Sequence, residues 1–166
     1  MAVIFISLGS NIDRQQHINA GLSALKAAFD ELAISRVYES ESVGFEGSDF
    51  YNLVARAQTD MSIEAVIQHL KKIEDVNGRI RGDKKFAPRT LDLDLLLYDD
   101  VVCQQPVELP RGEILHNAFV LWPLSELAGD VLHPLAKLSY DTLWAQFDKS
   151  SQQLWPVNFV WEDALL

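Results

Sequence analysis

Hydrophobic and polar residues alternate with two different periods along the first forty positions, which predicts two strands around one helix. Residues 2–8 are a run of β-branched and other apolar side chains that stops at a Gly-Ser-Asn sequence, as a buried strand does. Between residues 13 and 32, apolar side chains recur every three or four positions, which predicts an amphipathic helix. Residues 33–40 alternate loosely and predict a second strand.

The middle of the chain predicts a loop, a third strand and a second helix. Residues 42–49 contain two glycines among polar neighbours and indicate a loop, and residues 50–59 predict a strand. Ser62 can cap a helix whose apolar stripe runs to residue 73. The Asn-Gly pair at residues 77–78 is a common helix stop.

The last elements complete a recognisable order. Residues 90–98 predict a central strand, residues 118–127 a short helix broken by Pro123, and residues 140–147 another helix. The order β-α-β-β-α-β predicts an α+β, ferredoxin-like fold with a mostly antiparallel sheet, helices on one face and C-terminal additions. Since the sequence contains no repeat, low-complexity tract or linker, we expect residues 1–166 to form a single domain.

Composition narrows the class of protein. Of the 166 residues, 48% are hydrophobic and 23% are charged, which is typical of a globular domain. No apolar run is long enough to span a membrane, no basic region precedes the apolar start, and the lone Cys103 excludes an internal disulfide. We therefore expect a cytoplasmic protein without membrane association. The net charge of −10 disfavours nucleic-acid binding.

Basic residues are concentrated in one segment of this acidic chain. Residues 79–89 contain five of the 14 Lys and Arg residues, with Asp83 as the only acid. A basic loop of this kind can gather a small polyanion, although a solvated surface loop is also consistent with the pattern.

Asp92 and Asp94 are the sharpest chemical feature. Residues two apart in a strand point to the same face, about 6.5–7 Å apart. Two such carboxylates repel each other unless a cation lies between them, and Mg²⁺ prefers oxygen ligands. An exposed strand face that carries two acids is the alternative. The basic segment favours the metal, because Arg89 lies three residues before Asp92 and carboxylate-bound metal beside arginines suits phosphoryl transfer. No GxxxxGK[ST] motif occurs, so a nucleotide would bind without a P-loop.

The stretch KKFAPRTLDLDLLLY resembles the signature of the hydroxymethyl-dihydropterin pyrophosphokinases of folate biosynthesis. FISLGSN, YESESVGFEGSDFYN, IEDVNGRIR and FVLWPLSEL follow the order and spacing of that family, from about residue 3 to residue 134. The resemblance implies transfer of pyrophosphate from ATP to the hydroxymethyl group of 6-hydroxymethyl-7,8-dihydropterin, with release of AMP. It also implies that Asp92 and Asp94 hold two Mg²⁺ ions. The expected partners are these small molecules, and we expect a monomer.

The resemblance implies a role for each matching position. The residues expected to take part in catalysis are Arg79, Arg89, Asp92 and Asp94. The residues expected to bind ATP are Glu74, Arg81, Lys85, Arg89 and Arg111. The residues expected to bind the dihydropterin are Ser40, Val43, Phe50, Asn52, Phe86 and Phe119. Asn52 would hydrogen-bond the pterin ring and Phe119 would stack on it. Ordinary core packing for the aromatic residues and a solvated position for Glu74 are the alternatives.

Four positions depart from the family pattern. Arg111 and Asn117 stand where the family often has a histidine and an arginine at the phosphates, and Lys85 and Phe86 replace an arginine and a tryptophan. The departures favour, as a rival hypothesis, a diverged relative that binds nucleotide or pterin with weak or altered activity. A ferredoxin-like RNA-binding module is a second rival, disfavoured by the acidic charge and the absence of paired aromatic RNA-binding segments.

Overall fold

The computed structural model describes residues 1–40, 49–78 and 90–161. Strands and helices follow the predicted order. The strands are β1 (Ala2–Ser10), β2 (Asp30–Ile34), β3 (Val37–Ser40), β4 (Phe50–Thr59), β5 (Asp92–Tyr98) and β6 (Leu154–Val157). The helices are α1 (Arg14–Ala28), α2 (Ile63–Val76), α3 (Ala118–Ala128) and α4 (Tyr140–Gln146), with short 3-10 helices at Gly112–Leu115 and Lys149–Ser151.

One sheet organises the molecule. Its strand order is β5-β1-β4-β3-β6, with β2 also paired to β4, and each pair among the described residues is antiparallel. Because β1 and β2 both pair with β4, the β1-α1-β2 unit is split by the strand between them. The α2 connection places β5 on the other side of β1. The α+β, ferredoxin-like prediction is confirmed, and β6 is one of the expected C-terminal additions.

Helices cover both faces of the sheet. Ile6, Leu8 and Leu53 point toward α1 and α2 and form a first core with them. Phe5 and Val54 point the other way and form a second core with α3 and α4. The expectation of helices on one face is therefore wrong for the C-terminal half. The hydrophobic faces of α3 and α4 need a partner, and the second face of the same sheet provides it.

Two predicted element boundaries differ from those in the structure, each for a local reason. The first helix ends at Ala28 instead of residue 32, because Phe29 is extended and the chain turns into β2. The predicted strand 33–40 is two strands, interrupted at Ser35 and Arg36. The backbone N–H of Ser35 donates to the Val54 carbonyl, and the Ser35 hydroxyl accepts from the Val54 N–H, so the side chain replaces a missing backbone partner.

The cap of α2 and the proline in α3 test two further predictions. Ser62 caps α2 as predicted, since its hydroxyl accepts from the backbone N–H of Ala65 at 3.2 Å. Pro123 does not break α3, which continues through it to Ala128. Proline removes one helix hydrogen bond, but Pro123 is buried and α3 packs on β4 through the second core. No helix in the described ranges is long and apolar enough to cross a membrane.

Candidate active site

Asp92 and Asp94 lie on the same face of β5, as the alternation predicts. The neighbouring Leu91, Leu93 and Leu95 are buried in the first core, so the two acids project toward the opposite face, where α3 lies. In the pairing with β1, Asp92 is opposite Gly9 and Asp94 is opposite Ser7. The side chain of Asp94 is 42% exposed, so its carboxylate is accessible to a ligand.

A hydrogen-bonded polar pair occupies the same end of the sheet, one strand beyond β1. The Asn52 side-chain amide donates to the Ser40 hydroxyl at 3.1 Å, and both residues are buried. Asn52 is the cross-strand neighbour of Gly9, which is also opposite Asp92. A row across three strands therefore runs from Asp92 through Gly9 to Asn52, with no side chain at its centre.

Glu74 joins helix α2 to the edge strand. Its carboxylate accepts a hydrogen bond from the backbone N–H of Leu93 at 2.7 Å, and the residue is 6% exposed. The alternative of a solvated helix acid is therefore wrong. Leu93 lies between Asp92 and Asp94, so Glu74 fixes the strand that carries both acids.

Arg111 approaches β5 from the segment before α3. Its Nε donates to the carbonyl oxygen of Leu95 at 3.1 Å, its backbone N–H donates to that of Leu96 at 3.0 Å, and its Nη2 lies 3.9 Å from Asp94 Oδ1. These contacts keep a cation beside one of the two acids. The Arg111 side chain is only 22% exposed, so it is held in place instead of extending into water.

Glu113 adds a fourth acidic group to this neighbourhood, beside Asp94. Burial raises the pKa of the Glu113 carboxyl, and the negative charge of Asp94 raises it further. Arg111 and a side-chain hydrogen bond from Asn117 act in the opposite direction on this pKa. Arg111 and Asn117, which depart from the family pattern, are thus both engaged with nearby carboxylates.

A cavity of about 300 Å³ brings four of the predicted residues together. Glu74, Asp92, Asp94 and Arg111 all line it. Its apolar lining comes from Ile67, Leu70, Leu93, Leu95, Pro106 and Val107, and Lys71 adds a cation. A site with an apolar slot, two cations and adjacent carboxylates has the chemistry to bind a nucleotide with its phosphates.

The two described aromatic candidates lie on the strand and the helix that flank the polar row. Phe50 is half-buried and pairs with Ser40 across β3 and β4. Phe119 is half-buried in the first turn of α3 and packs against the second core. The remaining predicted residues lie outside the described ranges: Val43, Arg79, Arg81, Lys85, Phe86 and Arg89.

The two aspartates provide donors that suit magnesium. Among the residues that the structure describes, no group of three or more His, Cys, Asp or Glu side chains is placed to hold a metal ion. A pair of carboxylates nevertheless fits Mg²⁺, which is commonly bound through one or two carboxylates together with substrate phosphates. Gly9 and Ser7 opposite the two acids are small, which leaves room in front of them.

Sequence reasoning missed three residues of this neighbourhood, namely Gly9, Lys71 and Glu113. Lys71 could have been found from its position one turn before Glu74 on α2. Gly9 and Glu113 depend on contacts between distant segments, and no local pattern indicates them.

The fold and the site define a class of protein: a ferredoxin-like domain with an acidic pair that lines a cavity of about 300 Å³. A sequence model of the 7,8-dihydro-6-hydroxymethylpterin-pyrophosphokinase (HPPK) family matches residues 5–129. The chain belongs to this family.

Individual relatives agree with the family match. A 2-amino-4-hydroxy-6-hydroxymethyldihydropteridine pyrophosphokinase of Aquifex aeolicus is 34% identical over 138 residues, which cover 81% of this chain and 86% of that protein. The protein with the same description from Pseudomonas aeruginosa is 35% identical over 140 residues, covering 79% and 83% of the two chains.

Similar solved structures include chains of about twice the length. The Plasmodium falciparum HPPK-DHPS wild type aligns with a TM-score of 0.67 at 13% identity, covering 88% of this chain and 43% of that one. An HPPK-DHPS in complex with substrates aligns with a TM-score of 0.71 at 11% identity, covering 90% and 44%. This chain spans less than half of those proteins, and at these identities the likeness shows the fold alone.

Proposed function

We propose that this protein transfers pyrophosphate from ATP to the hydroxymethyl group of 6-hydroxymethyl-7,8-dihydropterin and releases AMP, a step of folate biosynthesis. In this reaction the hydroxymethyl oxygen attacks the β-phosphorus of ATP, its proton leaves, and the bond between the β-phosphorus and the oxygen bridging to the α-phosphorus breaks. The observation that carries the proposal is the pair Asp92 and Asp94, which lines one cavity with Glu74 and Arg111 in a chain of the HPPK family.

ATP would occupy the cavity beside β5. The apolar side chains of Ile67, Leu70, Pro106 and Val107 suit a purine ring, and Lys71 and Arg111 suit its phosphates. Glu74 would contribute to ATP binding indirectly, because its hydrogen bond with the Leu93 N–H holds β5 in place. We include the predicted Arg81, Lys85 and Arg89 in the phosphate site, with Arg79 and Arg89 as catalytic residues that neutralise developing charge.

Asp92 and Asp94 would hold two Mg²⁺ ions. Mg²⁺ held by these carboxylates would supply positive charge to offset the negative charge of the ATP phosphates. Arg111 already places a positive charge near the pair before any ligand arrives, because its Nη2 lies 3.9 Å from the Asp94 carboxylate. This charge offsets part of the repulsion between the two acids at this end of β5.

The dihydropterin would bind at the polar row on the other side of β1. The bond from Asn52 to Ser40 fixes the orientation of the Asn52 amide, which leaves its carbonyl oxygen and remaining N–H for a ring that presents both donors and acceptors. Phe50 and Phe119, with the predicted Val43 and Phe86, would supply the apolar and stacking walls. The hydroxymethyl group would then point along the row toward Asp92.

One observation favours the rival of a diverged relative with weak or altered activity. Arg111 already contacts Asp94 and the Leu95 carbonyl, and Asn117 bonds Glu113, so both altered positions interact with the protein itself. A phosphate would have to compete with these contacts. The same engagement also keeps Arg111 in place for a phosphate, which is why the pyrophosphokinase is the leading proposal.

The domain organisation, oligomeric state, location and partners are also part of the proposal. We place all 166 residues in one pyrophosphokinase-like domain that acts as a monomer in the cytoplasm, on small molecules, without nucleic acid or membrane.

The AMP released from Mg²⁺-ATP with and without hydroxymethyl-dihydropterin tests the activity. AMP formation that depends on the pterin supports the proposal. ADP formation, or AMP formation independent of pterin, contradicts it.

A further inference from the structure

The C-terminal strap, residues 152–161, lies beyond the residues that match the family model, yet it contacts the elements that carry the pterin-site residues. Gln152 is its first contact. The Gln152 side-chain Oε1 accepts from the backbone N–H of Ala118 at 2.7 Å, and its Nε2 donates to the His116 carbonyl at 2.7 Å. One amide thereby fixes the start of α3, whose second residue is Phe119.

Strand β6 forms the second contact of the strap. It pairs along the whole of β3, with Trp155 opposite Glu39 and Leu154 opposite Ser40. The indole N–H of Trp155 donates to Glu39 Oε1 at 3.2 Å. Glu39 immediately precedes Ser40, so this bond acts at the end of β3 that bears the Asn52 partner.

Arg14 binds the other oxygen of the same carboxylate. Its Nη1 donates to Glu39 Oε2 at 2.6 Å and also to the backbone carbonyl of Asp49 at 2.8 Å. The Arg14 guanidinium lies 4.0 Å from the centre of the Tyr51 ring. Because the Arg14 and Glu39 side chains are only 25% and 22% exposed, water competes weakly for these contacts.

Through its two hydrogen bonds, Arg14 connects the end of β3 with the start of β4. Glu39 leads into Ser40, and Asp49 leads into Phe50, and Ser40 and Phe50 are opposite each other in the sheet. Glu39 and Tyr51 lie on the α1 face, whereas the Asn52 and Ser40 side chains bond to each other on the face turned toward α3. Arg14 thus fixes the register of the pterin-site residues from the reverse side of the sheet.

We propose that the strap, together with Arg14, positions both walls of the dihydropterin site, so that Arg14, Gln152 and Trp155 are positioning residues for the pterin. The inference rests on the proposed function. For Arg14 and Trp155 the sheet order separates this effect from ATP binding, because β1 and β4 lie between β3 and the edge strand β5, which lines the nucleotide cavity.

The test compares variants of the three positioning residues in steady-state kinetics. Trp155→Phe removes the indole N–H and keeps an aromatic ring, Gln152→Glu removes the donor to His116, and Arg14→Ala removes both bonds of the guanidinium. Each should raise KM for dihydropterin, by about tenfold where a charge-assisted bond is lost, and Trp155→Phe and Arg14→Ala should leave KM for ATP unchanged. Arg14→Lys keeps the charge and should recover part of the affinity.

Tyr98→Phe is the control for the loss of one hydrogen bond. The Tyr98 hydroxyl donates to the Met61 carbonyl oxygen at 2.6 Å, and Tyr98 is opposite Ile4, far along β1 from Gly9. Loss of this bond should leave KM for dihydropterin unchanged. Dihydropterin affinity measured by calorimetry gives a second readout that is independent of turnover.

Three outcomes decide the inference. A selective rise in KM for dihydropterin, matched by the calorimetric affinity, supports it. An unchanged pterin KM in Trp155→Phe and Gln152→Glu overturns it even if Arg14→Ala does not fold. An equal rise in KM for ATP in Trp155→Phe also overturns it. The wild-type protein is assayed first. If it releases no pterin-dependent AMP, the proposed function itself is overturned.

Discussion

The side-chain oxygen of Asn52 lies above the backbone of Gly9, and a Cβ at position 9 would come within 2.9 Å of it. The Asn52 amide nitrogen bonds the Ser40 hydroxyl at the same time. The amide therefore lies between Ser40 and Gly9, and only glycine leaves it space. This relationship links the Gly-Ser-Asn sequence at the end of β1 to the proposed pterin site through sterics alone.

Gly9→Ala should weaken dihydropterin binding. The added methyl group must displace the Asn52 oxygen and disturb its bond to Ser40, so we expect KM for dihydropterin to rise by about tenfold with little change in KM for ATP. Gly21→Ala is the control: its Cβ would contact the flexible methyl groups of Leu91 at 3.1 and 3.2 Å, on α1 and away from Asn52. Equal pterin kinetics in Gly9→Ala and wild type would contradict the proposed role of Asn52.

Asp92→Asn and Asp94→Asn should each abolish turnover while the fold persists. An amide replaces an anionic oxygen donor that Mg²⁺ needs, and the two side chains have almost the same volume. The lost Asp94–Arg111 contact is partly exposed, so we expect the free energy of unfolding to change by less than about 1 kcal/mol.

Asp100→Asn provides the control for charge, because Asp100 is exposed in the turn just after β5. It should retain full activity. Denaturant unfolding followed by circular dichroism checks the fold of all three variants. If Asp92→Asn or Asp94→Asn keeps wild-type activity, the two acids are not the metal pair.

Arg111 and Asn117 predict an unusual pH profile. A permanent guanidinium charge at position 111 should make kcat/KM nearly constant between about pH 6 and 7.5, where a histidine would titrate. In Arg111→His with Asn117→Arg, activity should be retained or raised, and an acid-side pH dependence should appear. The new arginine would also face Glu113, whose raised pKa should then fall.

The same double variant discriminates between the leading proposal and its rival. A diverged relative should show at most trace AMP release in its native form, and the double variant should raise it by about tenfold or more. Robust native activity contradicts that rival. A pH profile of the native protein that follows a histidine-like ionisation contradicts the role assigned to Arg111.

His133 should make stability depend on pH away from the active site. It is buried, and its Nδ1 accepts from the backbone N–H groups of Leu135 and Ala136 at 3.1 and 3.0 Å. Burial lowers the pKa of His133, so the folded protein binds fewer protons than the unfolded chain. Stability is therefore full above the unfolded pKa of about 6.5 and is lost as the pH falls toward the lower folded pKa.

Thermal unfolding between about pH 7.5 and 5 measures this effect. His133→Gln should lower Tm at the upper end of that range and reduce its dependence on pH. His116→Gln, at an exposed position, should leave the pH dependence as in the wild type. A His133 variant with an unaltered pH dependence would show that the buried imidazole is not the group responsible.

The sequence predicts those elements that are governed by local patterns. Strand β4 and the Ser62 cap are observed as predicted, because alternation and capping are local signals. The predicted end of α1 is wrong because Phe29 is buried as an extended residue after the helix, and an apolar residue at that position fits the core pattern of a helix as well as that of a strand. The break expected at Pro123 is wrong for the opposite reason, since tertiary packing outweighs one lost helix hydrogen bond.

The site can be predicted where its residues lie close together in the sequence. Asp92 and Asp94 alternate along one strand, so their common face follows from the spacing. The bond from Leu93 to Glu74 and the contact of Gly9 with Asn52 join segments that are distant in the chain, and hydrophobic patterning carries no information about them. The contacts of the C-terminal strap are not readable from sequence either, because Gln152 bonds backbone groups of other elements.

The central claim is that two phosphates move as one unit from ATP to the pterin. Its most direct measurement uses ATP labelled at the β-phosphate, incubated with Mg²⁺ and hydroxymethyl-dihydropterin, followed by separation of nucleotides from pterins. We predict that the label appears in a pterin diphosphate in equal amount to the AMP formed, and that Asp94→Asn abolishes both. Label that stays in ADP, or AMP formed without labelled pterin, would contradict the claim.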